Sequence, residues 1–98
     1  MKWSNRLTVI GSRVQVQRFQ KSNWDRHLRA QYCDLLECSP ERFACQFSTQ
    51  RFPLEALRRL SRQWSKLVPL LDCESEENRI KGLAKAKAGE LEHCEITY

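Results

Sequence analysis

The stretch FACQFSTQRFPLEALRRLSRQWSKLVPLLDCESEENRIKGLAKAKAGELEHCEITY (residues 43–98) decides the fold of this 98-residue chain. Phe43, Cys45 and Phe47 alternate with polar or small residues, the period of a strand with one covered face. Pro53 suits the first turn of a helix, where a missing N–H removes no hydrogen bond. Leu54, Leu57, Leu60, Trp64 and Leu67 then repeat at the helical period and form one apolar stripe. Leu67 to Cys73 predicts a third strand. Pro69 cannot donate to a ladder, which places it at a sheet edge or at a strand start. Glu74 to Asn78 is a polar bend. Ile80, Gly82, Ala84 and Ala86 alternate with Lys81, Leu83, Lys85 and Lys87, giving a fourth strand. Ala88-Gly89 turns the chain into a last strand with Cys94, Ile96 and Tyr98 on one face. The order strand, helix, strand, strand, strand speaks to fold and contains no catalytic constellation.

Upstream, Trp3 to Ile10 reads as a strand with Trp3, Leu7 and Val9 on one face and Asn5 among them. Gly11 ends it, and Ser12 is placed to cap a helix through its hydroxyl. Val14, Val16 and Phe19 fit either strand alternation or helical spacing, and the Gly-Ser start favours a short helix. From Trp24, the positions Trp24, Leu28, Tyr32, Leu35 and Leu36 predict a second helix, with Asp25 in its first turn and Pro40 stopping it. The pattern leaves open whether 12–38 is one helix or two. Residues 1–98 form one α+β domain of ordinary size for a single core.

A hydrophobic fraction of 41% and a charged fraction of 30% describe a globular chain, not a disordered tail. The longest apolar run, Leu67 to Leu71, is far too short to span a bilayer. Met1 to Arg6 lacks the apolar middle of a signal peptide, so the expected compartment is the cytoplasm, without a membrane partner. The five cysteines (33, 38, 45, 73 and 94) are odd in number and contain no CxxC pair. They are expected to be reduced, and mostly buried as small core residues. The net charge of +5 is uneven. Residues 1–71 carry thirteen Lys and Arg against five Asp and Glu, and residues 72–98 carry four against seven. A basic body of this kind attracts phosphate or an acidic partner, or is neutralised within the fold.

Zinc needs ligand pairs at short gaps, and His27, His93 and the cysteines supply none, so no metal and no cofactor is expected. His93 adjoins Cys94, but neighbours on a strand point to opposite faces, which rules out a nucleophile and base pair there. No P-loop, glycine-rich fingerprint or nucleophile elbow occurs. The strongest candidate for contact with a partner or a nucleic acid is the basic helix face Arg58, Arg59, Arg62 and Lys66. The plainer reading of that face is a solvated surface whose stems cover the core rim. Phe43 and Phe47 resemble base-stacking strand aromatics, but their spacing better suits packing beneath the helix over 53–67.

Trp3-Ser4-Asn5-Arg6-Leu7-Thr8-Val9-Ile10-Gly11 resembles the W-C/S-N-R-L-x-V-x-G opening of the YubB-like proteins of phages, plasmids and prophages. Phe47-Ser48-Thr49 before Pro53 is similar to that family's step into its second helix. Glu74 to Gly82, followed by Gly89-Glu90, is similar to its glycine- and glutamate-bearing close. The chain departs at Gln50-Arg51-Phe52, where the family has Ala-Trp-Ser, and at Cys73, where Tyr is usual. The resemblance implies a ferredoxin-like two-layer sandwich, a mostly antiparallel sheet of four to five strands with helices on one face. It implies no enzymatic activity. The expected function is that of a small, non-enzymatic protein-interaction or regulatory module of a mobile element. The alternative is a nucleic-acid binder using the basic helix face. A protein partner is expected, with a homodimer left open by a sheet edge at Pro69.

Overall fold

The computed structural model describes residues 2–98. Six strands form one sheet: β1 (Trp3–Ile10), β2 (Gln31–Cys38), β3 (Arg42–Thr49), β4 (Val68–Ser75), β5 (Ile80–Lys87) and β6 (Glu90–Thr97). Three helices connect them: α1 (Arg13–Gln20), α2 (Trp24–Leu28) and α3 (Leu54–Gln63). The strand order is β2-β3-β1-β4-β5-β6, and every neighbouring pair is antiparallel. This corrects the expected ferredoxin-like sandwich of four to five strands. The sheet has six strands, the helices are short, and 49% of the chain is strand against 24% helix.

The largest correction lies at 31–38. The spacing of Trp24, Leu28, Tyr32, Leu35 and Leu36 predicts a helix running to Pro40, but α2 ends at Leu28. Arg29 takes the left-handed conformation (φ 54°) and closes α2 by donating its N–H to Arg26, while the Ala30 N–H reaches Asp25. The chain then extends as β2 along the outer edge of β3, with two register shifts on the way. Trp24 and Leu28 reach the core, but Tyr32 is 81% exposed and Leu35 61% exposed, so the later positions of the helical pattern never do. Backbone pairing with β3 outweighs a periodicity that has nothing to pack against. Pro40 lies in the β2–β3 turn, where Ser39 donates its N–H and its hydroxyl to the Arg42 carbonyl.

Other expectations hold with smaller changes. β1, β3 and β5 occupy the predicted stretches, and Trp3, Asn5, Leu7 and Val9 are buried on one face of β1. Ser12 precedes α1, but its side chain does not cap the helix as expected. α3 stops at Gln63, short of Leu67, and Leu57, Leu60 and Leu67 of its stripe are buried. Pro69 lies near the start of β4, as one of its two readings required. β4 is interior, between β1 and β5, so Pro69 marks no edge. Ala88 (φ 50°) and Gly89 (φ 88°) form a two-residue turn whose positive φ values match the twist of paired strands.

The core lies between one side of the sheet and the helices. Phe43 packs edge-on to Phe19 and Trp24, with ring centroids 6.0 and 5.5 Å apart, and Phe47 sits 6.0 Å from Trp24. These two rings therefore lie under α1 and α2, not under the helix after Pro53, because α1 and α2 cover β3. Trp64, just after α3, meets Phe19 edge-on at 5.5 Å and joins the two helical parts. The core side of β5 is small, with Gly82, Ala84 and Ala86 buried, since Phe52 and α3 come close there. A Cβ on Gly82 would stand 2.7 Å from the Phe52 ring and 3.0 Å from Cys73 Sγ. Gly82→Val is expected to lower the free energy of unfolding by about 1–3 kcal/mol through overpacking. The denaturant midpoint measures this, and a wild-type midpoint would contradict the close approach of Phe52.

Candidate functional site

The basic helix face divides on folding. Arg58, Arg59 and Arg62 are exposed on α3, while Lys66 lies in the turn beyond it. Arg59 Nε is 3.9 Å from Oε1 of Glu55, one turn earlier, a pair that contributes about 0.3–0.5 kcal/mol at an exposed site. Arg62 lies over the β5–β6 turn, where a Cβ on Gly89 would stand 3.0 Å from its Nε. The Gly89 N–H also donates to Ser61 Oγ at 3.0 Å, which fastens that turn to α3. The four cations thus present no single unopposed stripe.

The β3–α3 connection supplies a second basic feature. A cleft of about 460 Å³ lies between α2, the start of β2 and the first turn of α3. His27, Arg29, Arg51 and Arg59 line it, with Glu55 as its carboxylate. Thr49 lines it and is held from behind by Asn5, buried on β1, whose amide donates to Thr49 Oγ1 at 2.9 Å. Thr49 in turn donates to the Arg51 carbonyl at 2.6 Å. Phe52 stacks on Trp3 with ring centroids 5.1 Å apart. These contacts fix the chain around Arg51.

The third feature is the sheet side away from the helices. Alternation sends Arg6, Thr8 and Ile10 of β1, Leu70 and Asp72 of β4, and Lys81, Leu83, Lys85 and Lys87 of β5 to this side. Across β5 and β6, Leu83 stands opposite Cys94, Lys81 opposite Ile96, Lys85 opposite Glu92 and Lys87 opposite Glu90. Across β4, Lys81 stands opposite Glu74 and Leu83 opposite Asp72, and Asp72 in turn stands opposite Arg6 of β1. Opposite charges thus face one another from strand to strand, an arrangement worth a few tenths of a kcal/mol per pair. A shallow hollow of about 580 Å³ opens here, lined by Arg6, Arg42, Leu70, Asp72, Leu83 and Lys85 among others. Leu83 is 56% exposed and Ile96 61% exposed within it or beside it. At the rim, the Tyr98 hydroxyl donates to Glu74, which holds the phenol above its usual range, and Arg79 sits 5.8 Å from the ring centroid.

Sequence reading singled out α3 and passed over this face. Its members come from β1, β3, β4, β5 and β6, and only the strand register brings them together. The available signal was in β5, whose small residues alternate with long ones. A strand with Gly82, Ala84 and Ala86 on its core side turns Lys81, Leu83, Lys85 and Lys87 outward.

The cysteines separate by burial. Cys45 and Cys73 are buried, and burial pushes both thiols up to about 12, with Cys33 adding to the first and Asp72 to the second. The expectation of mostly buried cysteines is corrected for Cys33, Cys38 and Cys94, which are exposed on the two outer strands. Among the described residues, no three His, Cys, Asp or Glu side chains gather as a metal site requires. No described helix is long and apolar enough to cross a membrane. No protein-family model, curated protein or solved structure matches this chain.

The thiols give a direct check. A disulfide reagent at pH about 8 should titrate three cysteines in the folded protein and the other two only on unfolding, because thiolate is the reactive form. Fast reaction of all five would contradict the burial of Cys45 and Cys73. Both raised thiols favour the folded state fully below their ordinary 9.0. That contribution is lost as pH rises from there towards about 12, so thermal stability should fall across that range. Cys45→Ala with Cys73→Ala should flatten the decline.

Proposed function

We propose that this chain is a non-enzymatic binding module that takes a protein partner on the uncovered side of its sheet. The observation that carries this reading is the exposure of Leu83 and Ile96 amid opposed charges on a side that no helix covers. A contiguous exposed apolar patch rimmed by polar groups marks an interaction site, and Leu83 and Ile96 stand on diagonal positions of the neighbouring strands β5 and β6. The hollow is shallow and lies on the open side of the sheet, which suits recognition over chemistry in an enclosed pocket. The similarity of Trp3 to Gly11 to the YubB-like opening supports a mobile-element setting, and five free cysteines support a reducing compartment such as the cytoplasm.

Native cysteines provide the test. Cys94 lies on the proposed face and Cys38 on the opposite edge strand. A photo-crosslinker placed on Cys94 in cells, with Cys33 and Cys38 changed to Ser, should give a discrete adduct that Leu83→Lys abolishes. The same reagent on Cys38, with Cys33 and Cys94 changed to Ser, should not. Equal adducts from both positions would overturn the reading, as would catalytic turnover by the purified chain.

A second reading, nucleic-acid binding, is favoured by the cleft in which Arg29, Arg51, Arg59 and His27 meet, with Arg58 and Arg62 beyond it on α3. It predicts binding of DNA or RNA oligonucleotides that weakens steeply with salt, because each phosphate contact releases counterions. Arg51→Ala and Arg58→Ala should each reduce the salt slope. Fluorescence anisotropy showing no binding at low salt would dispose of this reading.

A further inference from the structure

We infer that the partner on the open sheet face is a second copy of this chain, packed face to face about a two-fold axis that runs along the strands between β4 and β5. The inference rests on the reading of that face as the binding surface and names its occupant. The argument begins with the sign of charge on each strand. On the open side β6 presents Glu90 and Glu92, β5 presents Lys81, Lys85 and Lys87, and β4 presents Asp72 and Glu74. β1 presents Arg6, β3 presents Arg42, and β2 presents Asp34 and Glu37. The strands therefore run negative, positive, negative, positive, positive, negative across the sheet.

Such a striped surface complements itself only at certain offsets. A two-fold axis between β4 and β5 lays the lysine column of each copy over the acidic column of the other, and lays β6 over Arg6 of β1. Every overlaid pair of columns is then opposite in sign. Moving the axis one strand towards β1 places β5 over β3 and β6 over β2, both like-signed, and an axis on β4 itself places acid over acid. The favoured offset also brings Leu70, Leu83, Cys94 and Ile96 of both copies into the covered zone.

The area bears on affinity. Four strands at about 4.8 Å spacing and about 27 Å length present roughly 500 Å² of projected face per copy. Specific interfaces start near about 1,000 Å² in total, so the contact is sufficient but at the low end, and the dimer should be weak. Edge pairing is a poor competitor. β2 is broken by two register shifts, and β6 carries Glu90, Glu92 and Glu95, which repel a second β6.

The test is a charge swap followed by sedimentation. The wild-type chain, 11.6 kDa as a monomer, should move towards twice that mass between about 1 and about 300 μM, the range over which a weak dimer fills. Raising salt from about 0.1 to about 1 M cuts the screening length from about 10 to about 3 Å and should shift it back to monomer. Lys81→Glu with Lys85→Glu should be monomeric, and so should Asp72→Lys with Glu74→Lys, each with a wild-type circular dichroism spectrum. Mixing the two variants should restore a dimer, since both sets of contacts are then opposite in sign. A wild-type monomer at the highest concentration and low salt would overturn the inference, as would a dimer indifferent to the swaps. A Cys94 adduct that Leu83→Lys abolishes, formed by such a monomer, would leave the open face standing as a surface for a different protein. Loss of that adduct as well would remove both readings.

Discussion

The position of β1 between β3 and β4 is the constraint on which the structure depends. It is antiparallel to both, and its partners lie far away in sequence, Leu7 opposite Cys45 on one side and Leu71 on the other. With these two ladders formed and β2 paired outside β3, the chain from β1 to β2 passes over β3 and the chain from β3 to β4 passes over β1. Both crossings place their helices on the side where Leu7 and Val9 are fully buried. Burying such aliphatic side chains contributes about 1.5–3 kcal/mol each, and most of the apolar residues that do so point to this one side.

The same constraint creates the open face. β4, β5 and β6 extend the sheet as a meander, and α3 reaches over β5 to the β5–β6 turn through the Ser61 and Gly89 contact. Among the described residues no helix remains to cover the other side. A fully buried sheet would carry near-continuous apolar strands, whereas β5 from Lys81 onward alternates between lysine or leucine and glycine or alanine. The opposed charges keep this side compatible with water, while Leu83 and Ile96 stay exposed among them. Asn5 is the largest polar side chain buried among the described residues, beside Thr49, Ser61 and Ser75. Its amide holds Thr49, and through it the loop bearing Arg51, while its Oδ1 atom finds no hydrogen-bond partner among the described residues.

Where a strand has one buried face, alternation is local information. Trp3 to Ile10, Phe43 to Thr49 and Ile80 to Lys87 were therefore legible as strands from their residues. The stripe of α3 was legible for the same reason. The segment 31–38 was not, because Tyr32, Leu35 and Leu36 are exposed and their spacing reports no core. Its conformation follows from pairing with β3, which no local pattern records. The candidate surfaces divide in the same way. The cations of α3 sit within one helix and could be found by reading along it. The meeting of Arg6, Asp72, Leu83 and Cys94 exists only through two registers, so the sequence contained its members but not their assembly.

Hydrogen exchange resolved by residue tests the central claim, a sheet built outward from β1. Amides of Arg6 to Thr8 should be the slowest in the chain, and those of β2 and β6 should exchange by local opening well before global unfolding. Residues 31–38 should show extended-strand chemical shifts. Helical shifts at 31–38, or β1 amides exchanging as fast as those of β6, would contradict the account.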